Sequence, residues 1–271
     1  MGRAIFKISV GFATGALILL AVSLYLSNTF LQQQQRLAES GALQGAMNRA
    51  EWASRLDPFN SVPLSSQAYL EVRRGQTETA NAAFEDAIER DPHNYRTYEA
   101  LGNFQRQQLG DLEEAAETYR EALRYNPHAV AVISRLGEVL LTSEPADLEG
   151  AKAQYEWLRE RGRIPLKDLY TLGKTQIRLG EPEEAIETFE EAKERADVEL
   201  GTSEEQQREQ KRALLESLDL AVADALVVQG LYEEAREYLA QSEAEQAPAV
   251  LTLLDEDPEG YRSSVFDAPI N

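Results

Sequence analysis

Residues Tyr95 to Pro127 read YRTYEALGNFQRQQLGDLEEAAETYREALRYNP, and the spacing of small, apolar and turn-forming residues predicts two helices back to back. Tyr98, Leu101 and Gly102 fall on one face of a first helix, Gly110-Asp111 turns the chain, and Ala115, Tyr119 and Ala122 fall on one face of a second. Small residues at Gly102 and Ala115 let the two helices approach closely, which leaves the Tyr119 ring to fill the space between hairpins. Pro127 stops the second helix, because it lacks an amide donor and clashes with the preceding turn.

The same pattern recurs outward from this stretch. AxxxFxxAxxxDP runs from Ala80 to Pro92, AxxxYxxAxxxNP from Ala115 to Pro127, AxxxY from Ala151 to Tyr155 and AxxxFxxA from Ala185 to Ala192. Recurrence at roughly 34 residues predicts an array of helical hairpins, each burying its apolar face only against its neighbours. At these positions the chain resembles the tetratricopeptide repeat family. Tyr98, Leu101, Gly102, Ala115, Tyr119, Ala122 and Pro127 stand where that family places its packing residues, as do Leu64, Ala68, Gly75, Ala80, Phe84, Ala87 and Pro92 in the preceding unit. A fourth unit carries Leu169, Leu172, Gly173, Gly180, Ala185, Phe189 and Ala192. The third, with Ile133, Leu136, Gly137, Ala151 and Tyr155, is looser, its turn from Thr142 to Asp147 lengthened around Pro145. A fifth, from about Glu216 to Pro248, keeps Ala223, Gly230, Ala235 and Leu239. The resemblance implies an all-α solenoid whose first helices line a concave groove.

Three segments depart from this register. Gly41 to Pro58 reads as the second helix of a divergent first repeat, with Ala46, Ala50 and Ala53 in register, and its partner helix would be Ser27 to Ser40. Between Ala192 and Glu216 the expected proline is missing, and longer helices are expected around a break near Gly201-Thr202-Ser203. From Leu251 to Asn271, the pairs Asp257-Pro258, Gly260-Tyr261 and Ala268-Pro269 suggest a cap followed by a loose end.

The amino end is of another kind. Ile8 to Leu26 (ISVGFATGALILLAVSLYL) carries no charge, and about 20 such residues cross a bilayer as a helix. Arg3 and Lys7 precede it, and the next base is Arg36. By the positive-inside rule the amino end then lies in the cytoplasm and the remainder outside. Small residues at Ala21-Val22-Ser23 leave open a signal peptide cleaved after Ser23, although the apolar run continues past that point. The resulting organisation is 1–7 cytoplasmic, 8–26 transmembrane, 27–60 a divergent first repeat, 61–250 the array as one elongated domain, and 251–271 cap and tail.

Composition narrows the function. A formal net charge of −20 argues against nucleic acid as a partner, because phosphate affinity comes from lysine and arginine displacing counterions. Without cysteine there is no disulfide, thiolate metal site or thiol nucleophile. The two histidines, His93 and His128, each follow a repeat-ending proline, too few for a metal site, which needs three or four converging ligands. The acidic run Glu181 to Glu194 lacks the glycine and alternation of a calcium loop and reads as a solvated helix face. No nucleophile elbow and no phosphate-cradling loop is present. The expectation is a binding protein, not an enzyme, with no cofactor.

Charge segregates by helix. First helices of the four central hairpins carry Arg73, Arg74, Arg96, Arg106, Arg135, Lys167, Lys174 and Arg178 against Glu71, Glu99, Glu138 and Asp168, a sum of about +4, whereas the second helices sum to about −15. With the groove that the resemblance implies, this predicts a mildly basic inner surface at Arg73, Arg96, Asn103, Arg106, Arg135, Lys167, Tyr170, Lys174 and Arg178, suited to an acidic or carboxylate-bearing segment of another protein. Solubilising glutamates outside and arginines snorkelling over the inner helices account for the same pattern. Relatives that clamp a carboxyl-terminal peptide use a lysine one turn from an asparagine; here Glu99 stands where that lysine would be, beside Asn103. The expected protein is a single-pass component of a bacterial cytoplasmic membrane, its array outside the cytoplasm as a scaffold, subunit or assembly factor. The alternative is a soluble exported protein that binds a peptide or glycan.

Overall fold

The structure, a computed structural model, describes residues 2–199, 205–268 and 270. Among them the chain is all helix and turn, in two compact units, 1–127 and 128–271. One elongated domain was expected; a solenoid can divide at a repeat boundary because its hairpins contact mainly their neighbours.

In the first unit the helices are α1 (Gly2–Glu39), α2 (Leu43–Leu56), α3 (Val62–Arg73), α4 (Thr77–Arg90), α5 (Tyr95–Phe104) and α6 (Leu112–Tyr125). They pair as antiparallel hairpins α1/α2, α3/α4 and α5/α6. The repeating alanines are the reason: Ala46, Ala50 and Ala53 on α2, Ala80 and Ala87 on α4, and Ala115 and Ala122 on α6 are wholly buried. Phe84 and Tyr119 fill the remaining space, fully buried. Between α5 and α6 the chain forms a π-helical turn, Gln105–Leu109. Its cause is countable, since Gly75 follows Pro58 by 17 residues whereas Gly110 follows Pro92 by 18. The extra residue is absorbed in a widened turn, and Gly110, at φ 69°, restores the register before Asp111 caps α6 through Glu114 N at 3.0 Å.

The second unit contains α7 (Val130–Thr142), α8 (Leu148–Glu160), α9 (Leu166–Leu179), α10 (Pro182–Glu199), α11 (Glu205–Gln229), α12 (Tyr232–Gln241), α13 (Ala247–Glu256) and α14 (Pro258–Asp267). Tyr155 and Phe189 occupy the interhelical positions equivalent to Tyr119. Helices α10 and α11 are the long pair; the expected break at Gly201-Thr202-Ser203 lies outside the described residues. Where a loose end was expected to follow the cap, the chain is instead helical through Asp267. Asp257 caps α14 by accepting from Gly260 N at 2.9 Å, α14 packs on α11, and Val265 and Ile270 are each only 9 % exposed. Turn-forming pairs marked a helix start there, and the apolar side chains that hold it down are too few to show a period.

Candidate functional site: a filled groove in the second unit

Three of the residues singled out for the groove, Tyr170, Lys174 and Arg178, project from successive turns of α9 to the same side. Helix α9 is unusually well placed to fix them. Its opposite face carries Leu169, Leu172 and Gly173, all buried, and Gly173 lies so close to Phe189 that no side chain would fit. Thr171, Thr175 and Gln176 are buried beside them, with Gln176 accepting from Thr188 at 2.9 Å and Thr175 donating to Thr171 O at 2.8 Å.

Opposite these residues α11 contributes Ala221 and Asp224, and the segment after Asp257 closes the site. Arg178 Nη1 donates to the backbone carbonyl of Ala268 at 3.0 Å, and Tyr261 OH donates to Asp224 Oδ1 at 2.7 Å. Val265, Ile270 and Ile177 line a residual cavity of about 60 Å³. The groove surface is thus held by the chain's own tail.

Electrostatics here follow from enclosure. Burial pushes the Asp224 carboxyl up to about 6, against the Tyr261 hydrogen bond and the Lys174 charge, which favour the anion. The same burial lowers Lys174, opposed by Asp224 and reinforced by Arg178. Its ammonium lies 5.6 Å from the Tyr170 ring centroid, a cation–π contact. Asp224 and Tyr261 escaped the sequence reading because they come from the divergent fifth repeat and the tail, where no motif marks them.

The other expected groove residues are more dispersed. In the second unit Lys167 pairs with Glu138 at 2.7 Å, and Arg135 is half-buried on α7. In the first unit Arg73 donates to Ala38 O at 2.7 Å, satisfying a carbonyl at the end of α1, and Asn103 accepts from Tyr119 OH at 2.8 Å. Arg106 is half-buried in the π turn and Arg96 lies exposed against Tyr95. Arg73 and Asn103 therefore hold hairpins together, the role that long polar side chains take wherever a helix end or ring hydroxyl needs a partner.

A second concavity of about 530 Å³ lies among α10, α11 and α12. Its central Lys193 sits 3.0 Å from Asp219 and donates to Tyr238 OH at 2.7 Å. Burial opposes the ammonium, yet these hydrogen bonds outweigh it and raise its pKa, so this network braces α10 against α11 and α12. Among the described residues no three His, Cys, Asp or Glu side chains cluster as a metal would require.

A stack of antiparallel hairpins with alanine–aromatic seams and an inner groove defines an α-solenoid, a class that presents extended concave surfaces to other proteins. Residues 66–130, 106–144 and 169–197 match the tetratricopeptide repeat family, so these stretches are tetratricopeptide repeats, a unit found in protein–protein interaction scaffolds. It is 30% identical over 132 residues to the Protein CTR9 homolog of Arabidopsis thaliana, a match covering 48% of this chain and 12% of that protein. The chain thus spans a small part of that relative's length. Among solved structures it is similar to the pilF protein of Pseudomonas aeruginosa, with 16% identity and a TM-score of 0.57 over 89% of this chain and 96% of that one. It is also similar to MamA, with 18% identity and a TM-score of 0.52 over 66% and 98% of the two chains. At these identities the likeness is one of fold.

Proposed function

We propose that this protein is a membrane-anchored scaffold that holds another protein of a bacterial envelope or membrane complex, as a subunit or assembly factor, without catalysis of its own. The observation that carries the reading is the continuity of α1. It runs as one helix from Gly2 to Glu39; its later turns pack against α2 as the first helix of a repeat, while Leu17, Ile18, Leu19 and Leu20 are all more than half exposed. The span Thr14–Glu39 is apolar and long enough to cross a membrane. A rigid junction of this kind supports an array held at the bilayer surface.

The partner site of this reading is the α9–α11 groove. Arg178 recognises a backbone carbonyl and Lys174 adds a charge beside an apolar floor, which suits an apolar segment bearing a carboxylate. A partner displaces the tail to enter it. The test is two-part. Membranes washed with alkaline carbonate are expected to retain the full chain with its amino terminus upstream of Leu24; release into the supernatant with a start at Leu24 refutes the anchor and favours the soluble exported protein. A partner co-purified in mild detergent is expected to be lost from Lys174→Glu/Arg178→Glu and enriched by deletion of residues 258–271; indifference to both moves the interface elsewhere.

A further inference from the structure

Eleven of the fifteen large apolar side chains exposed among the described residues lie between Leu17 and Val62. Eight belong to α1 itself. The other three, Trp52 on α2, Phe59 in the loop that follows it and Val62 at the start of α3, are 51 %, 85 % and 41 % exposed. A repeat domain in water gains nothing from presenting an exposed tryptophan and phenylalanine, and their placement relative to α1 explains them.

Helix α2 runs antiparallel to α1, and two hydrogen bonds set its height. Ser27 Oγ donates to Ala53 O at 3.0 Å, and Ser23 Oγ donates to Leu56 O at 2.6 Å. The apolar run ends at Leu26. At 1.5 Å per residue Ser23 lies about 4.5 Å inside it, so the last turn of α2 reaches the level at which the apolar segment begins. Beyond Leu56 the chain turns at Asp57–Asn60, where Asn60 N donates to Asp57 O at 3.2 Å, which places Phe59 in the turn beyond the end of α2. Ser23 satisfies the Leu56 carbonyl, one of the helix-end groups that must be bonded wherever water is scarce, and Ser27 adds a second bond to the Ala53 carbonyl, which also accepts from Asp57 N at 3.0 Å. Tyr25, 71 % exposed, stands at the same height on α1.

We propose that Trp52, Phe59 and Val62, with Tyr25, form a second membrane contact, inserted at the boundary between headgroups and acyl chains beside the point where α1 enters the bilayer. Aromatic rings with a polar or half-wet setting concentrate at this depth, and Arg55, lying against the Trp52 ring at 5.4 Å and paired with Glu51, is placed to face the headgroups. The contact fixes the rotation and tilt of the first hairpin about α1. The proposal rests on the reading of α1 as a membrane anchor.

The test uses the full chain with Trp157→Phe, which leaves Trp52 as the one tryptophan of the two in the sequence, reconstituted into phosphatidylcholine–phosphatidylglycerol vesicles. Spin-labelled lipids carry the quencher either near the headgroup end of the acyl chain or near its methyl end. The expected result is co-flotation with the vesicles, with about half or more of the Trp52 emission quenched by the shallow label and less by the deep one, as interfacial residence requires. Phe59→Trp in a chain also carrying Trp52→Phe and Trp157→Phe is expected to be quenched by the shallow label at least as strongly. Co-flotation with both probes unquenched overturns the second contact and leaves the anchor standing. Failure to co-float overturns both.

Discussion

Replacing Gly102 by alanine sets two physical effects against each other at one position. Alanine is the better helix former by about 1 kcal/mol, so propensity alone predicts a gain. The structure predicts a loss. A Cβ at Gly102 would lie 2.6 Å from Tyr119 Cε1 and 2.8 Å from Cδ1, whereas carbon atoms settle at about 3.5–4.0 Å. The ring would have to retreat by roughly 1 Å, and it has nowhere to go: Tyr119 is 0 % exposed, and its hydroxyl is held by Asn103 at 2.8 Å. Overpacking of this kind costs about 1–3 kcal/mol, and straining the hydroxyl bond adds up to about 1 kcal/mol. The net expectation is a destabilisation of about 1–2 kcal/mol, lowering the melting temperature of the first unit by about 5 °C. Thermal melts of the full chain in detergent, followed by far-UV circular dichroism, measure it. The companion variants are Tyr119→Leu and the double variant. With the ring gone the clash is gone, so Gly102→Ala is expected to raise stability in the Tyr119→Leu background, a reversal of sign. An increase in the wild-type background, or the same change in both, would refute the close-approach account of this glycine.

Asp224→Asn is expected to flatten the acid-range stability profile. A carboxyl raised from an unfolded value of about 3.9 to about 6 in the fold binds its proton more tightly when folded; its contribution is complete below about pH 4 and lost as pH rises through about 6. Melting between pH 4 and 7 should therefore show a wild-type decline from this group that the variant lacks. Lys174→Glu with Arg178→Glu should weaken partner binding tenfold or more (at least ~1.4 kcal/mol) with helicity intact, whereas Arg106→Glu, in the other compact unit, should have a smaller effect; the reverse ranking in a pulldown would relocate the site. Ser27→Ala removes a buried hydroxyl from the α1–α2 seam and is expected to cost about 1 kcal/mol, read as a lower denaturant midpoint. Asp111→Ala should cost a similar ~1 kcal/mol through loss of the α6 cap.

Much of the architecture was legible because its determinants are local and periodic. Alanines spaced for a helix face, an aromatic four residues on and a glycine at the turn each act within one hairpin, so Gly75, Gly110, Gly180 and Gly230 mark positive-φ turns as their positions suggest. Even the π turn is foreshadowed, by one surplus residue between Pro92 and Gly110. The candidate site was legible in part. Tyr170, Lys174 and Arg178 follow from helical spacing, but Asp224 and the tail contacts do not, because the pairing of Arg178 with Ala268 spans 90 positions and obeys no period. Arg73, counted by charge as a groove residue, in fact donates to the end of α1; a sum of charges holds no information on where a guanidinium points.

Residue order therefore carries the repeat: which segments become helices, which faces meet, and that the product is a solenoid, since each of these depends on side chains within one turn or one hairpin of each other. Packing across distant elements settles the rest. Whether the tail trails in solvent or lies on α11, and at what height α2 stands beside α1, turn on single hydrogen bonds and a few apolar contacts between remote positions. Such contacts form only once the hairpins have stacked and brought those groups within reach.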